Sequence, residues 1–236
     1  MNFDVYFMLS ALQESLKYTW VTLLLAIVPF FFGILFGTVI AIIRFYRVKV
    51  LGELLQLFVV IIKGTPGMVM LLIVYFALIQ GFDTISQTFH LAVKSKDINL
   101  IYIAFAALTL TATAAISETM RGALTAVATG QYEASYSVGL TKRQTLRRII
   151  LPQALPVAIP VLCSNLIGLI KGSSLVFMIS VTDLMNAALI PANTNYKYLE
   201  AYIAAALVYW VLNVVVENIF FWLEQHLSTY KREVLV

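Results

Sequence analysis

The charged side chains inside long apolar runs are the residues of this chain best placed to do chemistry. Lys63, Glu118, Arg121 and Lys171 each interrupt such a run, and Glu217 lies in another. A charge inside a membrane is costly, so it usually lines a pathway or pairs with an opposite charge. Glu118 and Arg121 are three residues apart, which places them on one face of a helix and favours a structural ion pair. The alternative for these charges is contact with a transported substrate.

The sequence gives no sign of covalent catalysis. It contains neither an H-E-x-x-H nor a G-x-S-x-G pattern, and it has only two histidines. The phosphate-binding pattern G-x-x-x-x-G-K-[ST] is also missing from the sequence. We therefore expect a protein that is not an enzyme, with no metal site and no cofactor of its own.

The composition indicates an integral membrane protein. Of its residues, 61% are hydrophobic and 12% are charged, whereas soluble domains average about 25% charged residues. Residues 1–17 predict a short interfacial helix, and the apolar runs that follow are long enough to cross a ~30 Å hydrocarbon core. The predicted spans are Tyr18–Ile43, Leu54–Gln80, Leu100–Met120, Leu155–Val181 and Leu199–Leu223.

Interruptions in these runs predict how the helices pack. The segment Lys63–Gly67, with sequence KGTPG, predicts a break in the second span, because proline lacks a backbone donor and disfavours helix at the preceding residue. Irregular backbone at membrane depth is tolerated against protein or a water-filled cavity, so this break should face the interior. Gly33 and Gly37 have the spacing of close helix contacts, although glycine is also simply common in membrane helices. The segments Gly81–Asn99 and Thr182–Tyr198 are predicted loops.

The distribution of basic residues predicts the orientation. With five spans, one side of the membrane holds ten lysines and arginines and the other holds four. Cytoplasmic loops are enriched in these residues, so the N-terminus should be outside and the C-terminus inside. The lysines and arginines cluster at the ends of spans, and this distribution also argues against nucleic-acid binding. The ten residues on the expected cytoplasmic side are Arg44, Arg47, Lys49, Arg121, Lys142, Arg143, Arg147, Arg148, Lys231 and Arg232. The four on the other side are Lys17, Lys94, Lys96 and Lys197.

The segment Glu133–Pro160 is the longest basic interruption and predicts a helical elbow in the cytoplasm. Gly139 would end a first helix that begins near Gly130 and has Glu133 in its first turn. Thr141 and Gln144 have the spacing of a capping box for a second helix, which Pro152 would stop after Leu151. Two interpretations remain open: a basic loop against anionic lipid, or a helix that docks in a partner's groove.

Four motifs resemble the permeases of ATP-binding-cassette (ABC) importers for polar amino acids, the histidine, glutamine, arginine and cystine type. Residues Glu133-Ala134-Ser135, then Gly139, then Ile150-Leu151-Pro152 are similar to the EAA loop of that family, with serine as its second small residue. Lys63-Gly64-Thr65-Pro66 resembles its R-G-T-P patch, with lysine for arginine. The other two similar motifs are Ser117-Glu118-Thr119-Met120-Arg121-Gly122, which resembles E-x-x-R-G, and Lys171-Gly172-Ser173-Ser174-Leu175, which resembles K-D-T-S-L with glycine for the acidic residue.

The resemblance implies an all-α membrane protein with five transmembrane helices per subunit, like a type I ABC importer permease. It implies one permease domain over residues 1–236, with a coupling loop at about 124–154, in a multi-pass protein of the plasma membrane. The implied partners are ATPase subunits that bind the ATP, a second permease subunit in a homo- or heterodimer, an extracellular substrate-binding protein and the amino acid. A stand-alone secondary transporter or channel is the alternative.

The resemblance also implies roles for particular residues. Those expected to couple to the ATPase are Glu133, Ala134, Ser135, Gly139, Leu151 and Pro152. For a zwitterionic amino acid, Glu118 would accept from the ammonium, and Lys63 or Arg121 would hold the carboxylate. The candidates for the substrate pathway are Lys63, Glu118, Arg121, Ser164, Asn165, Lys171 and Ser173. Ser164 and Asn165 could equally bridge helices by hydrogen bonds.

Overall fold

The chain folds into helices around one bundle. The computed structural model describes residues 3–89, 95 and 98–232, with side chains described as far as residue 226. A π-helical turn spans Leu146–Ile150, and a 3-10 helix spans Ser173–Ile179. The α-helices are α1 Val5–Phe45, α2 Leu51–Gly64, α3 Gly67–Thr88, α4 Leu100–Ala126, α5 Thr129–Ser137, α6 Lys142–Thr145, α7 Leu151–Gly172, α8 Leu184–Asn195 and α9 Tyr198–Arg232.

Five helical stretches of the described chain are long and apolar enough to cross a membrane, which confirms the predicted all-α, five-helix membrane fold. Three of these stretches start elsewhere than predicted: the first and fourth begin 13 residues earlier, at Val5 and Lys142, and the second begins 13 residues later, at Gly67. The start of the second differs because the part of the predicted second span that precedes the break is a separate helix, α2. The five stretches are Val5–Phe45, Gly67–Thr88, Leu100–Ala126, Lys142–Ile179 and Tyr198–His226.

Helix α1 is a single helix, so the prediction of a separate interfacial helix over residues 1–17 is wrong. Asp4 caps it by accepting a hydrogen bond from the Phe7 amide at 3.0 Å, and no proline or glycine interrupts its first six turns. Its 41 residues extend about 60 Å at 1.5 Å per residue. That is twice the ~30 Å hydrocarbon core, so α1 reaches well beyond it.

The packing of α1 against α4 forms the centre of the bundle. A Cβ added to Gly33 would lie 2.8 Å from the Cβ of Ala112, and one added to Gly37 would lie 2.9 Å from the carbonyl oxygen of Thr113. Only glycine permits this approach at either position, as the four-residue spacing predicts. The seam is extended by the buried Ile116 and Ala26.

The second span is broken at the predicted place. Helix α2 ends at Gly64, and Thr65 and Pro66 are extended, with φ/ψ of −94°/129° and −55°/138°, before α3 begins at Gly67. The predicted loop Gly81–Asn99 is wrong over its first part, since α3 continues to Thr88. Residues 90–94, 96 and 97 of that prediction lie outside the described residues.

The segment Thr182–Tyr198, predicted as a loop, is mostly helix α8. Asp183 caps it, accepting hydrogen bonds from the Asn186 amide at 3.0 Å and from the Tyr209 hydroxyl at 3.1 Å. The Thr22 hydroxyl accepts from the Leu184 amide at 3.1 Å. The asparagines, threonines and proline of this segment are typical of turns, but burial of its alanines against α1 and α9 stabilises the helix.

Candidate functional site

The break between α2 and α3 lies beside the middle of α4, because Gly67 and Thr111 line the same cavity. The Thr65 hydroxyl donates to the Ile61 carbonyl at 2.8 Å, and the Thr65 amide donates to Ile62. Lys63, Pro66 and Gly67 are exposed, and Thr65 is half-buried. The carbonyl end of α2 thus meets the amide end of α3, which no side chain caps. Such half-helix ends attract the charged groups of small ligands.

One face of α7 carries two more of the predicted site residues, Ser164 and Lys171. Ser164 and Lys171 are exposed, and Gly168 lies between them at spacings of four and three residues, which places all three on one face. The Ser164 hydroxyl donates to the Pro160 carbonyl at 3.3 Å. This face therefore combines a hydroxyl, a glycine and an ammonium group.

Asn165 and Ser173 have structural partners. The Asn165 amide donates to the Thr119 hydroxyl at 2.8 Å and joins α7 to α4. Ser173 is fully buried, and its hydroxyl donates to the Ile170 carbonyl at 2.8 Å. In this structure Ser173 packs between helices, and substrate contact by Ser173 stays a prediction.

A cavity of about 120 Å³ joins the break to α7. It lies between α3, α4, α7 and the 3-10 helix. The structure thus brings the break and the Gly168 face of α7 together at one place. The lining residues are Gly67, Leu71, Ala107, Leu108, Thr111, Gly168, Leu169, Gly172 and Leu175.

The carboxylate of Glu118 is held by two arginines near the opposite end of α4. Its Oε1 lies 2.5 Å from Nη2 of Arg44, and its Oε2 lies 3.0 Å from Nη2 of Arg121. Arg44 also donates to Ser117 Oγ at 3.3 Å and to Gln56 Oε1. The predicted pairing of Glu118 with Arg121 is therefore present, and it belongs to a network that ties α1, α2 and α4 together.

The sequence predictions missed Arg44 as a member of this network. Arg44 lies at the end of the first apolar run, so it was used only to predict the orientation of the chain in the membrane. Its side chain is 4% exposed, far less than a basic residue at a helix end usually is. The sequence did contain a signal for this pair. Arg44 and Glu118 both lie near the expected cytoplasmic ends of predicted spans, and an arginine and a glutamate at the same membrane depth can pair.

The elbow predicted at Glu133–Pro160 has the expected turn and cap. Gly139 has a φ of +80° after α5, and the Leu140 amide donates to the Ser135 carbonyl at 3.1 Å. Thr141 and Gln144 form the predicted capping box, with both hydrogen bonds present. Glu133, however, is not in the first turn, because α5 begins at Thr129.

The predicted stop at Pro152 is wrong. The chain passes from α6 through the π-helical turn directly into α7, and Pro152 is the second residue of α7. Proline lacks a backbone donor, but the turn before it is π-helical, with the Leu151 amide donating to the Leu146 carbonyl, and the helix continues through Pro152. The elbow and the fourth span therefore form one continuous helical rod from Lys142 to Gly172.

Aromatic contacts fix the elbow against the bundle. The ring of Tyr132 stacks on Phe45 with centroids 5.7 Å apart, and its hydroxyl donates to the Leu124 carbonyl at 3.0 Å. Burial raises the pKa of the Tyr132 phenol to about 12, so it stays a donor at neutral pH. Lys142 lies 5.9 Å from the ring centroid of Tyr46.

The outer surface of the elbow is exposed and carries acidic, apolar and basic side chains. Of the predicted coupling residues, Glu133, Ala134 and Gly139 are exposed, Ser135 is buried, and Leu151 and Pro152 are half-buried. The large apolar side chain with the greatest exposure on the elbow is Val138, at 74%. The exposed basic residues are Lys142, Arg143, Arg147 and Arg148.

Comparison with known proteins matches this architecture to one family. The family described as "Binding-protein-dependent transport system inner membrane component" matches residues 33–229. The probable amino-acid ABC transporter permease protein PatM of Vibrio harveyi is 35% identical over 97% of this chain and 98% of its own. The probable amino-acid permease protein YxeN of Bacillus subtilis is 37% identical over 90% of each chain.

A solved structure agrees with these relatives. The crystal structure of an amino acid ABC transporter with histidines has a TM-score of 0.78 at 27% identity, and covers 96% of this chain and 100% of its own. The broken second span, the helical elbow and the five crossing stretches thus occur in a chain that belongs to the binding-protein-dependent inner membrane components, as an amino-acid ABC transporter permease.

Proposed function

We propose that this permease moves an amino acid into the cytoplasm and is driven by ATPase subunits that dock on the elbow, Glu133–Pro160. The observation that carries the proposal is the continuous helical rod from Lys142 to Gly172. A displacement of the elbow would move α7 as a rigid body, without an intervening loop to absorb it. The far end of that rod carries the exposed face of Ser164, Gly168 and Lys171.

The exposed surface of the elbow fits a docking role. Glu133, Ala134 and Val138 present apolar area and one carboxylate, and four basic side chains follow in the second half of the elbow. Tyr132, directly before the elbow, holds α5 to α4 and α1, and Ser135 is buried with its hydroxyl donating to the Tyr132 carbonyl. A one-sided helix of this kind can lie in a groove of a partner.

The substrate pathway in this proposal passes the broken helix. The amide end of α3 and the ammonium groups of Lys63 and Lys171 would attract the carboxylate of a zwitterion. The carbonyl end of α2 would accept from its ammonium group. Glu118 is already neutralised by Arg44 and Arg121, so we assign Glu118 and Arg121 to holding helices together.

The orientation follows from the ten basic residues on one side and four on the other. The elbow would then lie in the cytoplasm, and the turn between α8 and α9 would face the extracellular binding protein. A single bundle leaves many apolar side chains exposed. A second permease subunit, identical or different, would cover part of that surface beside the lipid.

The test is to alter the elbow while leaving the bundle intact. Glu133→Arg and Gly139→Pro should abolish amino-acid uptake and release the ATPase during purification, because they change the docking charge and the positive φ that proline cannot adopt. Matched controls are Glu53→Arg, the same charge change on exposed α2, and Gly139→Asn, which tolerates the left-handed conformation. Normal uptake by both elbow variants would contradict the coupling role.

A further inference from the structure

The cavity of about 120 Å³ beside the broken helix contains no charged lining residue. Its walls are glycines, leucines and an alanine, with Thr111 as the one hydroxyl residue. That hydroxyl donates to the carbonyls of Leu108 at 2.9 Å and Ala107 at 3.4 Å. It is therefore committed to its own helix. A cavity of this size and polarity suits a small apolar group, since one of roughly 150 Å³ accommodates benzene.

Two of the glycines keep this cavity open. A Cβ added to Gly168 or Gly172 would meet nothing within 4 Å. They thus differ from Gly33 and Gly37, where the same four-residue spacing serves close contact between helices. Within the described chain, the spacing of Gly168 and Gly172 serves no helix contact and instead leaves space beside the break.

The charged residues that neighbour the cavity's lining residues in the sequence are positive. Lys171 directly precedes Gly172 and is exposed, and Lys63 is exposed just before the break that leads to Gly67. A cationic side chain entering the cavity would lose its water without gaining an acceptor, which is costly. The charged residues closest in sequence to the lining residues Gly172 and Gly67, Lys171 and Lys63, are cationic as well. An uncharged side chain meets neither penalty, while the carboxylate of the same molecule is attracted by the lysines.

We propose that this cavity receives the side chain of the transported amino acid and selects uncharged, apolar side chains against cationic ones. The inference rests on the proposed function, because it assigns a specificity to the same pathway. Gly168 and Gly172 are the specificity-determining residues, since they set the volume of the cavity. Lys63 and Lys171 set its charge preference.

The test is equilibrium binding of tritiated norvaline, alanine and arginine to the permease–ATPase complex in lipid nanodiscs. The binding protein is left out, so that the selectivity measured is that of the permease. We expect norvaline to bind on the order of tenfold or more tighter than arginine, the scale on which pockets discriminate. Equal affinity for the two would overturn the proposal.

Variants of the two cavity glycines test whether the cavity itself determines which amino acid binds. Gly168→Ala and Gly172→Ala fill it without a clash, so norvaline should bind severalfold more weakly while alanine is retained. The matched control is Gly122→Ala in α4, an exposed helical glycine whose added Cβ also meets nothing within 4 Å; it should change nothing. Gly172→Asp should improve arginine binding severalfold by supplying an acceptor. An unchanged binding profile in all these variants would contradict the assignment.

Uptake by the complete transporter tests amino-acid transport separately from the selectivity of the cavity. If proteoliposomes with the binding protein and ATP take up no amino acid, both the proposed function and this inference are wrong. If uptake occurs but the complex binds arginine and norvaline with equal affinity, only the inference about the cavity is wrong.

Discussion

At the scale of single residues, Arg44 has the most demanding position. Its guanidinium is almost fully buried and touches α4 through Glu118 and Ser117 and α2 through Gln56. Its Nε atom has no partner among the described residues. Because a buried charge that loses its partner is strongly destabilising, the stability of three helices depends on the carboxylate of Glu118.

Glu118→Gln should therefore lower the thermal unfolding temperature of the detergent-solubilised protein. The loss should correspond to about 3 kcal/mol, the lower end of the range for a broken buried pair. Replacing both partners, in Arg44→Leu with Glu118→Leu, should recover part of the loss, because the buried charge of Arg44 is then removed and Arg121, with its side chain 42% exposed, stays solvated. A double variant less stable than Glu118→Gln would contradict a structural role for the pair.

A second residue-scale prediction concerns Asp4, at the other end of α1. Its carboxylate lies 2.5 Å from the Lys197 ammonium, and this hydrogen bond holds the pKa of Asp4 below its ordinary value of 3.8. A lowered pKa contributes stability above the ordinary value, and this is lost as the pH falls through the folded-state pKa. Asp4→Asn keeps a capping side chain and removes the charge.

We therefore expect Asp4→Asn to unfold at a lower temperature than the unmodified protein at pH 7. The difference should shrink as the pH falls below 3.8, because both proteins then lack the charge. Thermal unfolding in detergent across this pH range measures it. A difference independent of pH would mean that the ion pair with Lys197 does not contribute.

At the scale of elements, the seam between α1 and α4 sets the shape of the bundle. Gly37→Ala would place a Cβ 2.9 Å from a backbone carbonyl oxygen that cannot move independently of α4. Overpacking of this kind costs about 1–3 kcal/mol. We expect a lower unfolding temperature, measured by fluorescence-detected size exclusion after heating. Gly122→Ala is the control, and equal losses in the two variants would contradict close packing at the seam.

The elements that could be predicted from sequence were those with local causes. The break at Thr65–Pro66, the glycine turn at Gly139 and the capping box at Thr141 follow from backbone chemistry within a few residues. Helix α8 was missed because its stability comes from burial against α1 and α9, although Asp183 was a visible capping signal. The continuation through Pro152 was missed because a π-helical turn leads into it.

The candidate site was predictable in part for the same reason. Lys63, Ser164 and Lys171 could be selected because polar groups in apolar runs are conspicuous. The cavity itself depends on how α3, α4 and α7 meet, which no local pattern specifies. Arg44 likewise acquires its role only when α1 packs beside α4.

At the scale of the whole molecule, the exposed apolar surface and the charge asymmetry predict how the bundle sits in the membrane. Cys163 is the sole cysteine and is buried, so a background with Cys163→Ala is suited to labelling. Tyr196, 72% exposed in the turn between α8 and α9, should be extracellular, and the exposed Arg143 in the elbow should be cytoplasmic.

A membrane-impermeant maleimide should therefore label Tyr196→Cys in intact cells and Arg143→Cys only after the membrane is opened. Mass-tagged gel shifts of the two single-cysteine proteins measure this directly. Labelling in the reverse order would overturn the orientation derived from the basic residues.

The unbroken helix from Lys142 to Gly172 also constrains how the length of this chain can vary. A residue inserted into a helix turns everything beyond it by about 100°, so one added between the elbow and Ser164 would rotate Gly168 and Gly172 away from their cavity. A deletion would rotate them the other way. Homologous chains should therefore keep the same number of residues between the capping threonine and the second glycine, while the turn around Tyr196 is free to lengthen.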